Sequence, residues 1–255
     1  ESLDSKLKLN GSCLATADVD RDGDLDVFAG SNLVQGRYGE IPSSYLLMND
    51  GNGKLVSAVN HFPESDGKIG MVSDAAFADL DGNGFPDLMV AGLWMPIRVL
   101  LNDGKRFRDA TDEFGLKGTE GWWHRLVVGD FDGDGNTDFM AGNDGLNQRL
   151  RAAPDSPVKM YVADLDGNGS LDQMLEYENH GRWPFVSKDQ LIKQVPSLRK
   201  SYLRYNQFAN STVAEIIEKS GYQGEISELK ANMFQSVFAE NKDRKSTRLN
   251  SSHRT

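Results

Sequence analysis

The sequence predicts an all-β fold on three observations: an acidic nine-residue pattern occurs four times, short apolar runs flank the copies, and the first three copies recur at long intervals. The copies occupy residues 18–26, 79–87, 130–138 and 164–172, so successive copies start 61, 51 and 34 residues apart. Each carries Asp at positions 1, 3 and 9, Asp or Asn at 5 and Gly at 6. Apolar runs of four to eight residues bounded by turn residues read as strands, so each acidic stretch joins two strands of a hairpin. Long periods holding four short strands each are the signature of propeller blades. The expected architecture is therefore a β-propeller fragment of about four blades, with a small helical insertion near residues 187–220.

In chain order, residues 1–11 are polar and read as the end of a preceding element. Strands are expected at 13–17 and 26–30 around the first acidic loop. Residues 31–44, with Gly36, Gly39 and Pro42, form a connection. Strands 45–48 and 54–59 follow, joined by the turn Asn49-Asp50-Gly51-Asn52-Gly53. The second unit repeats this plan with strands 75–78, 87–92, 97–101 and 106–110, the last two around Asn102-Asp103-Gly104. The third unit has no recognisable outer hairpin, because the fourth loop begins too soon. After the strand at 171–177 the period changes. Ser187 with Gln190 and Thr212 with Glu215 fit capping boxes, Gly221 suits a helix stop, and Pro196 interrupts. Residues 236–241 parallel 45–49 and 99–102, and the native chain is expected to be cut as that outer hairpin turns. Residues 243–255 resemble the in-frame translation of a sequencing adapter and are set aside as a non-native tail.

The loop spacing is chemical. Oxygens at alternate positions converge on one point when the chain curls, and Gly at position 6 permits the left-handed backbone of a sharp curl. Position 7 is Asp24, Phe85, Asn136 or Ser170, which share only a backbone carbonyl, as a main-chain ligand requires. The candidate ligands are Asp18, Asp20, Asp22, Asp24 and Asp26; Asp79, Asp81, Asn83, Phe85 and Asp87; Asp130, Asp132, Asp134, Asn136 and Asp138; and Asp164, Asp166, Asn168, Ser170 and Asp172. With no His or Cys among them, calcium fits better than zinc, up to four ions in all. Carboxylates about 4 Å apart repel by ~1 kcal/mol per pair in water and ~4 kcal/mol in a partly buried setting, so a metal-free loop should open. Carboxylate count ranks the first loop tightest, the third next, and the second and fourth weakest. EF-hands are excluded, since position 12 is Ala29, Val90, Ala141 or Leu175 rather than Glu.

Antiparallel order puts the connections between second and third strands, and the entries to first strands, on the face opposite the acidic loops. That face offers Arg37, Tyr38, Trp94, Trp122, Trp123, His124, Arg125, Asn143, Asn147 and Arg149 as ligand contacts; for any one Trp, packing between blades is the stronger reading. Lys193, Arg199, Lys200 and Arg204 give the helical insertion a basic character, which fits a solvated face or an acidic partner.

The formal charge of -10 argues against nucleic acid or an anionic membrane as a partner. Cys13 is the single cysteine, which permits no internal disulfide, and no apolar run is long enough to cross a bilayer. No Ser/His/Asp or Cys/His arrangement and no phosphate loop is visible, so catalysis by this chain is not expected.

The acidic loops followed by Phe28-Ala29-Gly30, Val90-Ala91-Gly92 and Met140-Ala141-Gly142, together with the Asn-Asp-Gly hairpins, resemble FG-GAP (VCBS-type) repeats of the integrin alpha-type propeller. Residues 121–147 and the helical insertion are similar to large bacterial VCBS repeat-containing proteins. The resemblance covers residues 12–242. It implies an exported, cell-surface or periplasmic protein of seven or so blades, in which calcium stiffens the blade edges and loops bind a protein or glycan ligand without catalysis. The remaining blades are then partners of this segment. The competing expectation is a piece of a polysaccharide-active or other enzyme whose catalytic domain lies outside this segment.

Overall fold

A computed structural model describes residues 9–242 and the backbone of residues 247–250. The fold is all-β, as expected, in antiparallel groups of four strands, two of which share a short pairing at Leu93–Trp122 and Met95–Gly121 that joins them into eight, with a few short helices. The chain divides into two compact units, the first comprising residues 1–33, 41–147 and 234–255, the second residues 34–40 and 148–233.

The first unit holds three sheets of one plan. Strands β1 (Gly11–Ala17), β2 (Asp26–Ser31), β3 (Tyr45–Asn49) and β4 (Leu55–Ser57) pair in sequence order. Strands β5 (Met71–Ala78), β6 (Asp87–Met95), β7 (Arg98–Asn102) and β8 (Phe107–Asp109) repeat the meander. The third sheet pairs β9 (Gly121–Gly129) with β10 (Asp138–Asn143), then crosses to β15 (Val237–Asn241) and β16 (Thr247–Asn250). The third unit therefore has an outer hairpin after all, correcting the expectation that it lacks one. The chain leaves the sheet after its second strand and returns about ninety residues later. Four residues of the segment set aside as a tail form the edge of this sheet. Backbone pairing does not read side chains, so an edge strand of foreign sequence is physically admissible. Of residues 1–11, expected to end a preceding element, residues 1–8 lie outside the described residues and Gly11 already opens β1.

Alternation along the strands builds the core between sheets. Phe28 and Leu46 of the first sheet pack against Leu88, Val90 and Leu100 of the second, with Phe62 edge-on to Phe28 at 6.0 Å. Met89, on the other face of β6, is equally buried. At the same register position of the third sheet, Met140 pairs with Val127, and these two are 44% and 54% exposed. The innermost strands are tied in series: the Ser12 hydroxyl donates to the Val72 carbonyl at 2.5 Å, and Asp74 accepts the Leu126 amide at 2.9 Å.

In the second unit, β11 (Val158–Ala163) and β12 (Asp172–Glu178) flank the fourth acidic loop, with β13 (Arg182–Pro184) and β14 (Ser227–Ala231) outside them. Helices α1 (Lys188–Gln194), α2 (Tyr205–Ala209) and α3 (Val213–Ser220) pack Leu191, Phe208, Val213 and Ile216 onto Ala163, Leu165 and Met174 of this sheet. Both expected capping boxes are present, at Ser187 with Gln190 and Thr212 with Glu215. Gly221 stops α3 with a φ of 79°, and Pro196 opens the 3-10 turn Pro196–Lys200 that separates α1 from α2.

Candidate metal centres

Each acidic loop is curled by its own backbone. In the first, Asp18 accepts the amides of Asp22 and Gly23, both at 3.0 Å, through its two carboxylate oxygens, and Asp22 accepts that of Asp24. Asp164 does the same with the amides of Asn168 and Gly169, whereas Asp79 and Asp130 take the amides of positions 4 and 6, Gly82 with Gly84 and Gly133 with Gly135. These bonds hold the carboxylates from outside, and each oxygen keeps a further lone pair for the interior of the curl. The backbone is left-handed at position 6, where Gly23, Gly84, Gly135 and Gly169 have φ between 85° and 99°. It is left-handed at position 4 as well, which the sequence pattern does not announce: three loops have Gly there, and the first has Arg21 at φ 63°.

The result gathers carboxylates. Oxygens of Asp79, Asp81 and Asp87 lie within 4.8 Å of one another, as do those of Asp130, Asp132 and Asp138 and those of Asp164, Asp166 and Asp172. In the first loop the trio is Asp18, Asp20 and Asp22. Asp24, Asp26 and Asp134 stand outside these trios, and Asn83, Asn136 and Asn168 cap the turn, each side chain or backbone bonded within its loop.

Position 9 is different in kind. Asp26, Asp87, Asp138 and Asp172 are all buried. One oxygen of each accepts the amide of position 2, from Val19, Leu80, Phe131 or Leu165, at 2.8 to 3.0 Å. In the first unit the second oxygen accepts the amide of an asparagine closing the third strand: Asn49 at 2.8 Å, Asn102 at 2.7 Å, Asn241 at 2.9 Å. Two of these asparagines then reach the preceding sheet. The Asn102 amide group donates to the Val19 carbonyl at 2.8 Å, and that of Asn241 to the Leu80 carbonyl at 3.1 Å. A recurring clasp thus joins acidic loop, outer hairpin and neighbouring loop. Sequence reasoning placed Asn49 and Asn102 in turns and Asn241 at the end of a parallel segment, without a bonding role; their recurrence at one register position was the available signal.

Burial disfavours the charged form of three position-9 carboxylates. Burial pushes the Asp87 carboxyl up to about 7 against the pull of the Asn102 and Leu80 amides, and Asp81 and Asp79 add to the rise. Burial likewise raises Asp26 and Asp172 above the usual carboxylate range. Three convergent carboxylates with only oxygen donors form a set suited to a hard divalent cation, so the residues present fit calcium.

The ligand-face candidates do not form one group. In the first unit, Trp94, Trp122, Trp123, His124, Arg125 and Asn143 lie at the strand ends away from the loops, where Leu93 pairs with Trp122 and Asn143 with Trp123. Trp123 is fully buried and its indole donates to the Thr119 carbonyl at 2.9 Å. Trp122 sits between Trp94 at 5.1 Å and Phe234 at 4.7 Å, so these rings are packing groups. His124 faces Asp144 at 3.3 Å, and His124 and Arg125 are exposed. Asn147 is exposed at the end of the same segment. Arg37, Tyr38 and Arg149 belong to the second unit. Arg37 pairs with Glu40 at 2.6 Å, the Tyr38 carbonyl accepts from Gln173 beside the fourth loop, and Arg149 lies over the Phe185 ring at 5.3 Å.

A family model of FG-GAP-like repeats matches residues 18–90 and, in an overlapping second copy, residues 79–141. Each match runs from the first position of one acidic loop into the β-strand that follows the next. Among solved structures, the chain is similar at 16% identity and a TM-score of 0.33 to one described as the structural basis of recognition of non-reducing terminal N-acetylglucosamine by an Agrocybe aegerita lectin. That similarity covers 94% of this chain and 65% of the other. No curated protein matches the sequence.

Proposed function

This chain is an FG-GAP-repeat-containing protein, and from that premise we propose that it is a non-catalytic, calcium-binding module that presents its remaining surfaces to a protein or glycan ligand. The observation that carries the reading is the fourfold convergence of three carboxylates on a loop curled to receive them. Calcium supplies the positive charge these loops need. When bound, it would be held by the side chains at positions 1, 3 and 5, the carbonyl at position 7 and the carboxylate at position 9. The protein's own contribution is rigidity: amide groups fix each carboxylate, and the asparagine clasps carry that order to the next sheet. Loops of this type work where calcium is near millimolar, which fits an extracellular or periplasmic setting. No helix among the described residues is long and apolar enough to cross a membrane.

The exposed row formed by Val127 and Met140 is proposed to take a further blade of the same repeat. The equivalent residues of the first two sheets, Phe28 and Met89, are buried, and the Phe131 carbonyl stands at the place where Val19 and Leu80 receive their clasps.

Calorimetric titration of chelator-treated protein with calcium tests the reading. Each occupied loop should add about 2.7 kcal/mol of stability at a free calcium concentration of 100 times its dissociation constant. Asp20→Ala should remove the tightest site and Asp132→Ala the next. No heat and no shift in unfolding temperature at millimolar calcium would reject the calcium assignment.

A further inference from the structure

The helical part of the second unit contains a basic cleft that the acidic loops do not explain. It lies along α1 and the 3-10 turn and has a volume of about 450 Å³, within the range of small-ligand sites. Lys193 and Arg199 line it, exposed and outside any ion pair among the described residues. Lys188 forms the back. Its ammonium group donates to the Leu203 carbonyl at 3.2 Å and lies 4.7 Å from the centre of the Tyr205 ring. Tyr205 in turn donates its hydroxyl to Asp189 at 2.5 Å.

Three features go beyond a solvated basic face. Tyr202 lines the cleft at 1% exposure, and its buried hydroxyl has no hydrogen-bond partner. A buried hydroxyl left without a partner costs stability, so it needs a reason to persist. Leu203, at 75% exposure, puts apolar surface in the lining, and Tyr205, at 62%, adjoins the cleft through its contacts with Lys188 and Asp189. The walls are also pre-formed, because Leu191, Val195, Leu198 and Phe208 anchor the same segments in the core of the unit. All of this sits in a chain of formal charge -10, against which two unpaired cations in one cleft stand out.

We infer that this cleft binds an acidic sugar, with the carboxylate of a uronic acid on Lys193 and Arg199 and the ring face against Leu203 and Tyr205. Arg and Lys suit a carboxylate, and an aromatic ring beside aliphatic surface suits the C–H face of a pyranose. Asp189 decides between anions. It repels a dianion such as phosphate but accepts hydrogen bonds from sugar hydroxyls, so a singly charged, hydroxyl-rich ligand is favoured. An acidic peptide is disfavoured because helix and 3-10 turn form this wall, with no strand edge to pair an extended backbone. The inference rests on the binding-module reading for its class of function only, since no acidic-loop residue lines the cleft.

The test is titration of the whole chain with D-glucuronate, D-glucose, inorganic phosphate and a glutamate-rich peptide, read by calorimetry with and without calcium. Glucuronate should bind, on the order of tenfold more tightly than glucose, and weaken as salt rises. Lys193→Gln with Arg199→Gln should cost on the order of tenfold in glucuronate affinity, and Leu203→Ser a smaller factor. Lys200→Gln, a basic control outside the lining, should change nothing. All four positions are exposed, and unchanged circular dichroism confirms folding of each variant. Equal affinity for glucose, tighter binding of phosphate or the peptide, no glucuronate binding, or an unaffected double variant each overturns the inference. Loss of calcium binding alone, with glucuronate binding intact, would sink the calcium reading and leave this one standing.

Discussion

The three acidic loops of the first unit and the one in the second share a nine-residue pattern yet are built into their surroundings differently. In the first unit the buried position-9 aspartate takes two backbone amides, one from its own loop and one from an asparagine closing the third strand. In the second unit Asp172 takes one backbone amide, from Leu165, and Gln194 on α1, which donates to the Gln173 carbonyl at 3.2 Å, lies close enough to favour its charged form. The curl is therefore a local property that nine residues suffice to make. Coupling of the curl to a neighbouring sheet needs a residue that is distant in sequence. Loops of the first kind are structural joints as well as candidate metal sites, and the fourth is an acidic loop in a sheet braced by helices.

The largest expected effect separates these roles. Asp87→Ala leaves the Leu80 and Asn102 amides buried and unpaired, and should cost about 3 kcal/mol in chelated protein, where metal loss plays no part. Asp172→Ala should cost about half as much. Urea unfolding resolves the two, since Trp94, Trp122 and Trp123 report on the first unit and Trp183 on the second. Equal costs would break the comparison. Next in size, Asn102→Ala removes the bond to Val19 and should cost about 2 kcal/mol. Asn49→Ala should cost less than about 1 kcal/mol, because its side chain bonds only at the exposed edge, donating to the Leu25 carbonyl at 3.4 Å and accepting the Gly53 amide at 3.2 Å.

A smaller effect concerns acid. Burial pushes the Asp109 carboxyl up, but hydrogen bonds from Thr111 and the Arg98 guanidinium outweigh it and hold the carboxyl below its ordinary value. A depressed folded-state value means that the stabilisation is complete above the unfolded carboxyl range and disappears as pH falls through the folded value. The stability gap between the parent and Asp109→Asn should follow that course, measured by urea unfolding from neutral pH downward. A gap that widens on acidification would contradict it. The smallest effect is at Arg21. Replacement by Gly relieves a left-handed residue by about 1 kcal/mol but gives up the stacking of its guanidinium on Phe85, 5.5 Å away, and adds chain entropy. The net change should stay within about 0.5 kcal/mol, which calorimetric unfolding can check.

Much of this architecture was legible because its causes are local. The first two sheets have the expected strand order, with β6 running on through Trp94, at φ 59°, to Met95 where a connection was expected. That backbone angle is uncommon for tryptophan, and no local pattern signals it. The helices start and stop where Ser187, Thr212, Pro196 and Gly221 predict, since capping acts within a turn. The site was legible in part. Converging aspartates could be read from alternate spacing, whereas the roles of Asn49, Asn102 and Asn241 depend on which strands pair. Arg37 and Tyr38 could not be placed either, because the connection carrying them joins the second unit while its flanking strands stay in the first.

By itself the sequence determined the acidic curls, their flanking strands and the helix boundaries, because glycine geometry, side-chain alternation and capping operate over a few residues. The tertiary structure alone decided that β15 completes the third sheet, and that asparagines from three hairpins lock onto buried aspartates. Strand pairing across about a hundred residues is settled by which apolar faces and buried polar groups meet in space, and no short window of sequence contains that information.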